Sequence, residues 1–199
     1  MNKSRLEAFS DGVIAIIITI MVLELKVPHD SDWTVLQKLA PLFISYIMSF
    51  IFIGIYWGNH HHLLQSIKNV TSGIMWANLN LLFWMSMIPF VTAWMGVNNF
   101  ASNTVALYGV LLLFNGFAFN FLQRVVVQNM HNRDDLIKAF TYQKKKSLIS
   151  ALCHLSGIGS AYYSSVLAGI CFFLASIMWL IPEKKIEKAL ELEDEKIQT

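Results

Sequence analysis

The sequence predicts an all-α integral membrane protein with six transmembrane helices and both termini in the cytoplasm. Hydrophobic residues make up 55% of the 199 residues, charged residues only 14%, and the mean hydropathy is +0.51. Soluble domains carry about a quarter charged residues, so this composition indicates a membrane protein. Six apolar runs follow one another, and thirteen of the fifteen Lys and Arg residues fall on one side of the resulting arrangement. The positive-inside rule assigns that side to the cytoplasm.

The first apolar run covers residues 5–25 and begins with a cluster of polar side chains. Between Gly12 and Leu23 it contains no ionisable residue, and its length fits a membrane-spanning helix. In lipid only a helix satisfies its own backbone groups, so the many Ile and Val residues do not argue for a strand. No small-residue cleavage site follows the run, so we expect a retained helix rather than a signal peptide.

Five further apolar runs follow along the chain. A polar turn at residues 28–32 ends the first helix, and the second run covers residues 39–62. The third run, residues 74–95, is interrupted by Pro89, and the fourth covers residues 105–122. The fifth and sixth runs are residues 147–161 and 163–181, and the fifth is short enough that we expect a tilt or a shifted boundary. The chain therefore divides into a transmembrane domain, residues 1–182, and a charged cytoplasmic tail, residues 183–199.

The sequence contains no motif typical of an enzyme. It has no catalytic serine motif, no phosphate-binding loop and no Cys or His cluster with the spacing of metal ligands. Cys153 and Cys171 both lie in apolar runs, so we expect free thiols rather than a disulfide. We therefore expect no enzymatic activity, no metal and no nucleic-acid partner.

Three consecutive histidines, His60, His61 and His62, end the second run. Successive helix positions point about 100° apart, so three adjacent imidazoles cannot converge on one metal ion. We expect one of them to face inward and to form a hydrogen bond. The polar start of the first helix lies on the same side of the membrane, and a carboxylate there needs a partner or water. A contact between Asp11 or Ser10 and one of these histidines is therefore predicted.

Other polar residues lie within the apolar runs or beside them. For the asparagines at membrane depth we expect hydrogen bonds between helices; these residues are Asn78, Asn80, Asn115 and Asn120. The basic segment Lys144–Lys146 precedes the fifth run, and it is expected to set the topology and to contact anionic lipid as an additional role.

One stripe of the first helix contains Ile16, Ile20 and Leu23, which are spaced four and three residues apart, and Thr19 lies beside it. Taken alone, such a stripe most often reflects packing or lipid contact. Lining of a pore is the less common interpretation.

The start of the first helix resembles a known channel family. Arg5, Phe9, Ser10 and Asp11 match the RxxxFSD signature at the start of the first helix of the transmembrane protein 175 family, the endolysosomal potassium channels and their prokaryotic homologues. The six-helix layout, with Trp and His residues at the end of the second helix, is similar too. The resemblance implies a channel fold without a pore-loop filter and, for a single six-helix repeat, a homotetramer whose central pore is lined by the first helix.

The same resemblance implies roles for particular residues. Ile16 would form a hydrophobic constriction, Thr19 would take part in ion selection, and Ile20 and Leu23 would continue the pore lining. The signature residues Arg5, Phe9, Ser10 and Asp11 would belong to a network that ties the first helix to its neighbours. Its expected partners on the second helix are Trp57 and one of the histidines, with His60 and His61 as the candidates.

The implied function is that of a potassium-permeable cation channel in the cell membrane, with potassium as the permeant ion and no cofactor. A TVGYG filter is absent, so ion selection would have to come from pore width, dehydration cost and the threonine ring, and we expect only modest preference for potassium over sodium. One alternative is a proton-coupled secondary transporter that uses Asp11 and a histidine as a relay. Another is a membrane scaffold without transport.

Overall fold

A computed structural model describes residues 2–28, 31–130 and 134–180, and within these ranges all regular structure is helical. The seven helices are α1 Lys3–Leu23, α2 Trp33–Gln65, α3 Ser72–Ser86, α4 Ile88–Val97, α5 Ser102–Gln128, α6 Asp134–Ser160 and α7 Ser165–Leu180. The predicted all-α class is therefore confirmed. The predicted tail, residues 183–199, lies outside the described residues.

Four helical segments are long and apolar enough to cross a membrane. They are α1, α2, the continuous segment Ser72–Val97 formed by α3 and α4, and α5. Helix α7 is apolar but has only 16 described residues, and the first half of α6 carries many charged residues. The chain is thus a multi-pass membrane protein. The count of six spans and the cytoplasmic placement of the termini stay predictions.

Polar residues begin three of the helices by accepting hydrogen bonds from exposed backbone N–H groups. The Asn2 side chain accepts from Ser4 N at the start of α1, and Thr71 has the same role in α3. At α2 the Asp32 carboxylate accepts from Thr34 N at 2.7 Å, and hydrogen bonding to Thr34 lowers the pKa of Asp32 below its ordinary value. Because this cap sets the start, α2 begins at Trp33, six residues before the apolar run predicted from residue 39.

The predicted interruption of the third run is confirmed. Helix α3 ends at Ser86, and α4 begins at Ile88 with Pro89 in its first turn. Proline is tolerated there because the first N–H groups of a helix have no partner within the helix.

The boundary of the fifth run is shifted, as expected for so short a run. Helix α6 begins at Asp134 rather than at residue 147, so the basic segment Lys144–Lys146 is helical. Hydropathy marks where a helix becomes apolar, whereas Lys is itself a good helix former and lets the helix extend beyond that point. Both cysteines, Cys153 in α6 and Cys171 in α7, are free and partly buried, which confirms the prediction for the thiols.

Helix α1 packs on one side only. Its contacts are with α2, α3 and α4, and its buried residues recur every three or four positions: Leu6, Ser10, Ile14, Ile17 and Met21. A buried hydrogen-bond cluster joins α2, α4 and α5. Ser49 Oγ of α2 lies 2.7 Å from Thr92 Oγ1 of α4 and 3.0 Å from Tyr108 Oη of α5.

The asparagines divide into two groups. Asn78 and Asn115 are fully buried and bond between helices, and Asn115 Nδ2 reaches Trp84 O of α3 at 3.4 Å. Asn120 Nδ2 instead donates within α5 to Gly116 O, and Asn80 is exposed. The prediction of interhelical hydrogen bonds is therefore confirmed for Asn78 and Asn115, whereas Asn80 and Asn120 form none with the described residues.

Candidate pore helix and its polar anchor

The uncovered side of α1 carries every residue that the sequence proposed for a pore. Ile16 is 58% exposed, Ile20 43% and Leu23 76%, and Thr19 is exposed as well. Six of the exposed positions of α1 form a seam with alternating spacings of four and three residues: Arg5, Phe9, Gly12, Ile16, Thr19 and Leu23. This is the spacing at which a helix faces a common axis with other helices. The opposite side of α1 is buried inside the same chain.

Thr19 presents an oxygen on this seam. Its Oγ1 donates its hydrogen to Ile16 O at 2.9 Å. A hydroxyl whose hydrogen is used in this way keeps its oxygen lone pairs as acceptors. The side chain can therefore offer an oxygen ligand to a cation on the exposed side of the helix.

A groove of about 650 Å³ runs along the same side of the molecule, between α1 and α4. Ile16 and Ile20 form part of one wall, and Phe90 and Trp94 form part of the other. Phe90 is 64% exposed and Trp94 39%. A mostly apolar groove bordering the seam is the kind of surface that helices of another subunit cover.

A buried chain of hydrogen bonds joins the first three helices. Ser10 Oγ donates to Leu6 O at 2.8 Å, so it must accept from Asn78 Nδ2, which lies 2.9 Å away. This orients the amide so that Asn78 Oδ1 faces His60 Nε2 at 2.7 Å, and His60 Nε2 carries the hydrogen. The side chains of Ser10, Asn78 and His60 are at most 1% exposed.

The acidic residue of the signature has a different partner. Trp57 Nε1 donates to Asp11 Oδ1 at 2.9 Å, which ties α1 to α2 one turn before His60. No histidine in the described part of the chain bonds Asp11 directly. The predicted direct contact of Asp11 or Ser10 with a histidine is therefore not formed among the described residues; Ser10 is joined to His60 through Asn78 instead.

The inward histidine is His60, and this confirms that one of the three faces the interior. His61 and His62 are only partly buried. His61 Nε2 lies 3.0 Å from Gln65 Nε2, and its ring stacks on Trp57. His61 thus lies beside the Asp11–Trp57 contact rather than within the buried chain.

Arg5 and Phe9 are the signature residues that this chain does not bring into its interior. Phe9 is 52% exposed, and Arg5 is exposed and makes no hydrogen bond or ion pair with other described residues. Helix geometry explains the difference, because both lie on the uncovered seam while Ser10 lies on the opposite face. Their part in the network stays a prediction that depends on contacts beyond a single chain.

Two residues of the polar anchor, the hydrogen-bonded groups that tie α1 to α2 and α3, could not be assigned from the sequence. Asn78 was expected to bond between helices, but nothing in the sequence assigned it as the bridge between Ser10 and His60. The second residue is Lys3, whose Nζ donates to Gln65 O at 2.7 Å and so caps the end of α2. A Lys at the very start of a helix carries no signal of its own, because its partner is 62 residues away.

Comparisons with known proteins bear directly on this arrangement. The model of the family described as the endosomal/lysosomal potassium channel TMEM175 matches residues 5–89, a segment that contains the signature and the whole buried chain. A potassium channel of Chryseobacterium sp. (strain P1-3) is 48% identical over 191 residues, which are 96% of this chain and 99% of the relative. The chain belongs to the TMEM175 family.

Other members of the TMEM175 family agree with this assignment. A potassium channel of Streptomyces collinus (strain DSM 40733 / Tue 365) is 32% identical over 70% of this chain and 72% of its own length. The crystal structure of a lysosomal potassium-selective channel TMEM175 homolog from Chamaesiphon minutus superimposes with a TM-score of 0.72 at 30% identity. It covers 89% of this chain and 96% of that chain. The resemblance predicted from four residues of α1 is therefore confirmed, and it extends over most of the molecule.

Proposed function

We propose that the chain forms a potassium-permeable cation channel in the cell membrane, as a homotetramer with a central pore lined by α1. The observation that supports this best is the uncovered seam of α1. It is apolar over Ile16 and Leu23 and carries the Thr19 hydroxyl, while the other side of the same helix is buried in its own chain. Two bacterial relatives are potassium channels, which supports potassium as the permeant ion.

Ile16 is the proposed constriction. Four copies around one axis would place a ring of branched apolar side chains in the pore, and such a ring opposes conduction by excluding water. Thr19 follows one turn later, and its free lone pairs would give a hydrated cation an oxygen ligand beside the dry ring. Ile20 and Leu23 would continue the wall.

The polar start of α1 is proposed to hold this helix in register. Ser10 is bonded to Asn78, and Asp11 to Trp57, so two interhelical contacts restrain the helix one to two turns before Ile16. Rotation of α1 about its axis would break both contacts and move the seam away from the pore. In the proposed tetramer, Arg5 and Phe9 would contact neighbouring subunits. The proposed channel requires no cofactor.

Purified protein in planar bilayers under opposed potassium and sodium gradients tests the proposal. We expect unitary current steps with a reversal potential displaced modestly toward potassium, and a mass of four chains by light scattering. Flux that depends on a proton gradient without current steps would instead support a transporter. An impermeable, monomeric protein would overturn the proposal.

Substitution of the constriction provides the residue-level test. Ile16→Asn should hydrate the ring and raise the unitary conductance or open probability. Ile47→Asn is the matched control, because Ile47 is similarly exposed at 53% but lies on α2. An unchanged current in Ile16→Asn, or an equal increase in both variants, would exclude Ile16 as the constriction.

A further inference from the structure

A crevice opens between α2, α5, α6 and α7, away from the seam of α1. Its cavity volume is about 50 Å³, much smaller than that of the groove beside α1. The walls are mainly apolar and include Phe52, Phe119 and Trp179, and the polar residues include Asn59, Asn120 and His154. A mostly apolar recess with a few polar groups is the usual form of a small-molecule site.

His154 brings an unpaired acceptor to this recess. The residue is only 6% exposed, and its Nδ1 lies 2.7 Å from Ser150 O. A carbonyl only accepts, so Nδ1 carries the hydrogen. Its Nε2 is buried and has no hydrogen-bond partner among the described residues. A charged ring would leave a buried N–H unpaired, so the ring is neutral and Nε2 is a vacant acceptor.

The side-chain amides of the two asparagines in the crevice donate to backbone carbonyls. Asn59 Nδ2 donates to Ile55 O at 2.8 Å and to Trp179 O at 3.1 Å. Asn120 Nδ2 donates to a backbone carbonyl of its own helix. Among the described residues that line the crevice, only His154 has a fully buried side-chain polar atom without a hydrogen-bond partner, and that atom needs a donor.

The position of the crevice indicates where its occupant comes from. Ser147, Ser150 and His154 line it from the apolar part of α6, and His154 lies about 12 Å along the helix axis from Lys146. Lys146 Nζ lies 5.8 Å from the centroid of the Trp179 ring, so the crevice extends from the basic end of the helix into its apolar part. An amphipathic molecule of the bilayer fits such a crevice, because its polar group can lie near the basic boundary while its apolar part lies in the recess.

We propose that the crevice binds an uncharged amphipathic molecule from the bilayer, an apolar chain that carries a hydroxyl group. The hydroxyl donates to His154 Nε2 within the narrow part, and the chain lies against Phe52, Phe119 and Trp179. The small size of the enclosed space favours a hydroxyl over a larger polar group. This site is independent of the ion pathway proposed for α1.

A brominated long-chain alcohol and its methyl ether are the probes, because bromine quenches tryptophan fluorescence and only the alcohol can donate a hydrogen bond. The full chain in nanodiscs is titrated with each probe, and the Trp179 signal is the difference between the protein and its Trp179→Phe variant. The alcohol should quench saturably, with half-quenching at about fivefold lower membrane concentration than the ether, as one neutral hydrogen bond contributes.

Variants of His154 assign the difference to one atom. His154→Leu should fold, because it removes an unpaired polar atom, and should make the alcohol and the ether equivalent. His154→Gln should recover part of the preference, since its side-chain oxygen can accept. Leu155→Ala, exposed on the same helix, should keep the full preference. Three results would overturn the proposal: equal quenching of the unmodified protein by both probes, no saturable quenching, or a preference for the alcohol that survives His154→Leu. If water is the sole occupant of the crevice, quenching should be equal for both probes or not saturable.

Discussion

Asn78 is the residue whose replacement tests the polar anchor most directly. Its buried side chain makes two hydrogen bonds, to His60 Nε2 at 2.7 Å and to Ser10 Oγ at 2.9 Å. Asn78→Leu removes both. Ser10 keeps its bond to Leu6 O, but the Nε2–H group of His60 is left buried without a partner, and Nδ1 of the same ring already has none. The cost therefore falls mainly on His60.

The expected loss in the free energy of unfolding is about 2 kcal/mol. Lost hydrogen bonds account for about 1 kcal/mol, since such bonds in membrane proteins contribute about 0.6 kcal/mol on average. An unpaired buried donor adds about 1 kcal/mol or more. Replacement of both partners leaves no unpaired group from this bond, so the second replacement adds little to the cost of the first. The double variant His60→Leu/Asn78→Leu should therefore cost little more than either single variant, with a coupling energy of about 1–2 kcal/mol.

The assay is reversible unfolding by SDS in mixed micelles, followed by far-UV circular dichroism. Protein concentration is held constant, because the stability of an oligomer depends on it. Asn80→Leu is the control, since Asn80 lies on the exposed side of the same helix, and its effect should be within about 0.5 kcal/mol. Additive effects of the two single variants, within about 0.5 kcal/mol, would refute a direct His60–Asn78 bond.

Three other variants test separate parts of the structure. Trp57→Phe keeps an aromatic ring but removes the N–H that binds Asp11. It should lower the free energy of unfolding by about 1–2 kcal/mol in the same assay, and an unchanged free energy would show that the contact is absent in the membrane. Gly96→Ala would place a Cβ 2.7 Å from a backbone carbon of α2 and should lower the free energy of unfolding by about 1–3 kcal/mol. Gly54→Ala is the control and should be neutral or slightly stabilising, because the space around Gly54 is open. Equal effects of the two variants would contradict the close packing of α2 and α4. The lowered pKa of Asp32 stabilises the folded chain at pH values above the unfolded pKa near 3.8, and this contribution is lost as the pH falls through the lower folded pKa. The difference in unfolding midpoint between the protein and Asp32→Ala should therefore shrink below about pH 4. A difference that does not depend on pH would show that the carboxylate charge is not involved.

The sequence by itself determined the class of the protein and the location of its first helix. Long apolar runs force helices in a bilayer, because no other open structure satisfies the backbone there, and the described residues contain no other regular structure. The signature of Arg5, Phe9, Ser10 and Asp11 identified the family. The interruption at Pro89 was also predicted, because proline lacks the N–H group that continues a helix, although Pro41 lies inside the uninterrupted helix α2.

Boundaries were predicted less well, for a physical reason. Hydropathy marks the apolar part of a helix, whereas capping residues and helix propensity decide where the helix starts. Asp32 begins α2 before its apolar run, and α6 extends through Lys144–Lys146 to Asp134.

Only the tertiary structure decided which side of α1 is covered and what holds it. Periodicity placed Ile16, Ile20 and Leu23 on one stripe, but a stripe of this kind can face lipid, a neighbouring helix or a pore. Packing of α2, α3 and α4 against the opposite side leaves that stripe uncovered. The bridge from Ser10 through Asn78 to His60 joins residues up to 68 positions apart, and such a contact depends on how three helices meet, which no local pattern in the sequence records.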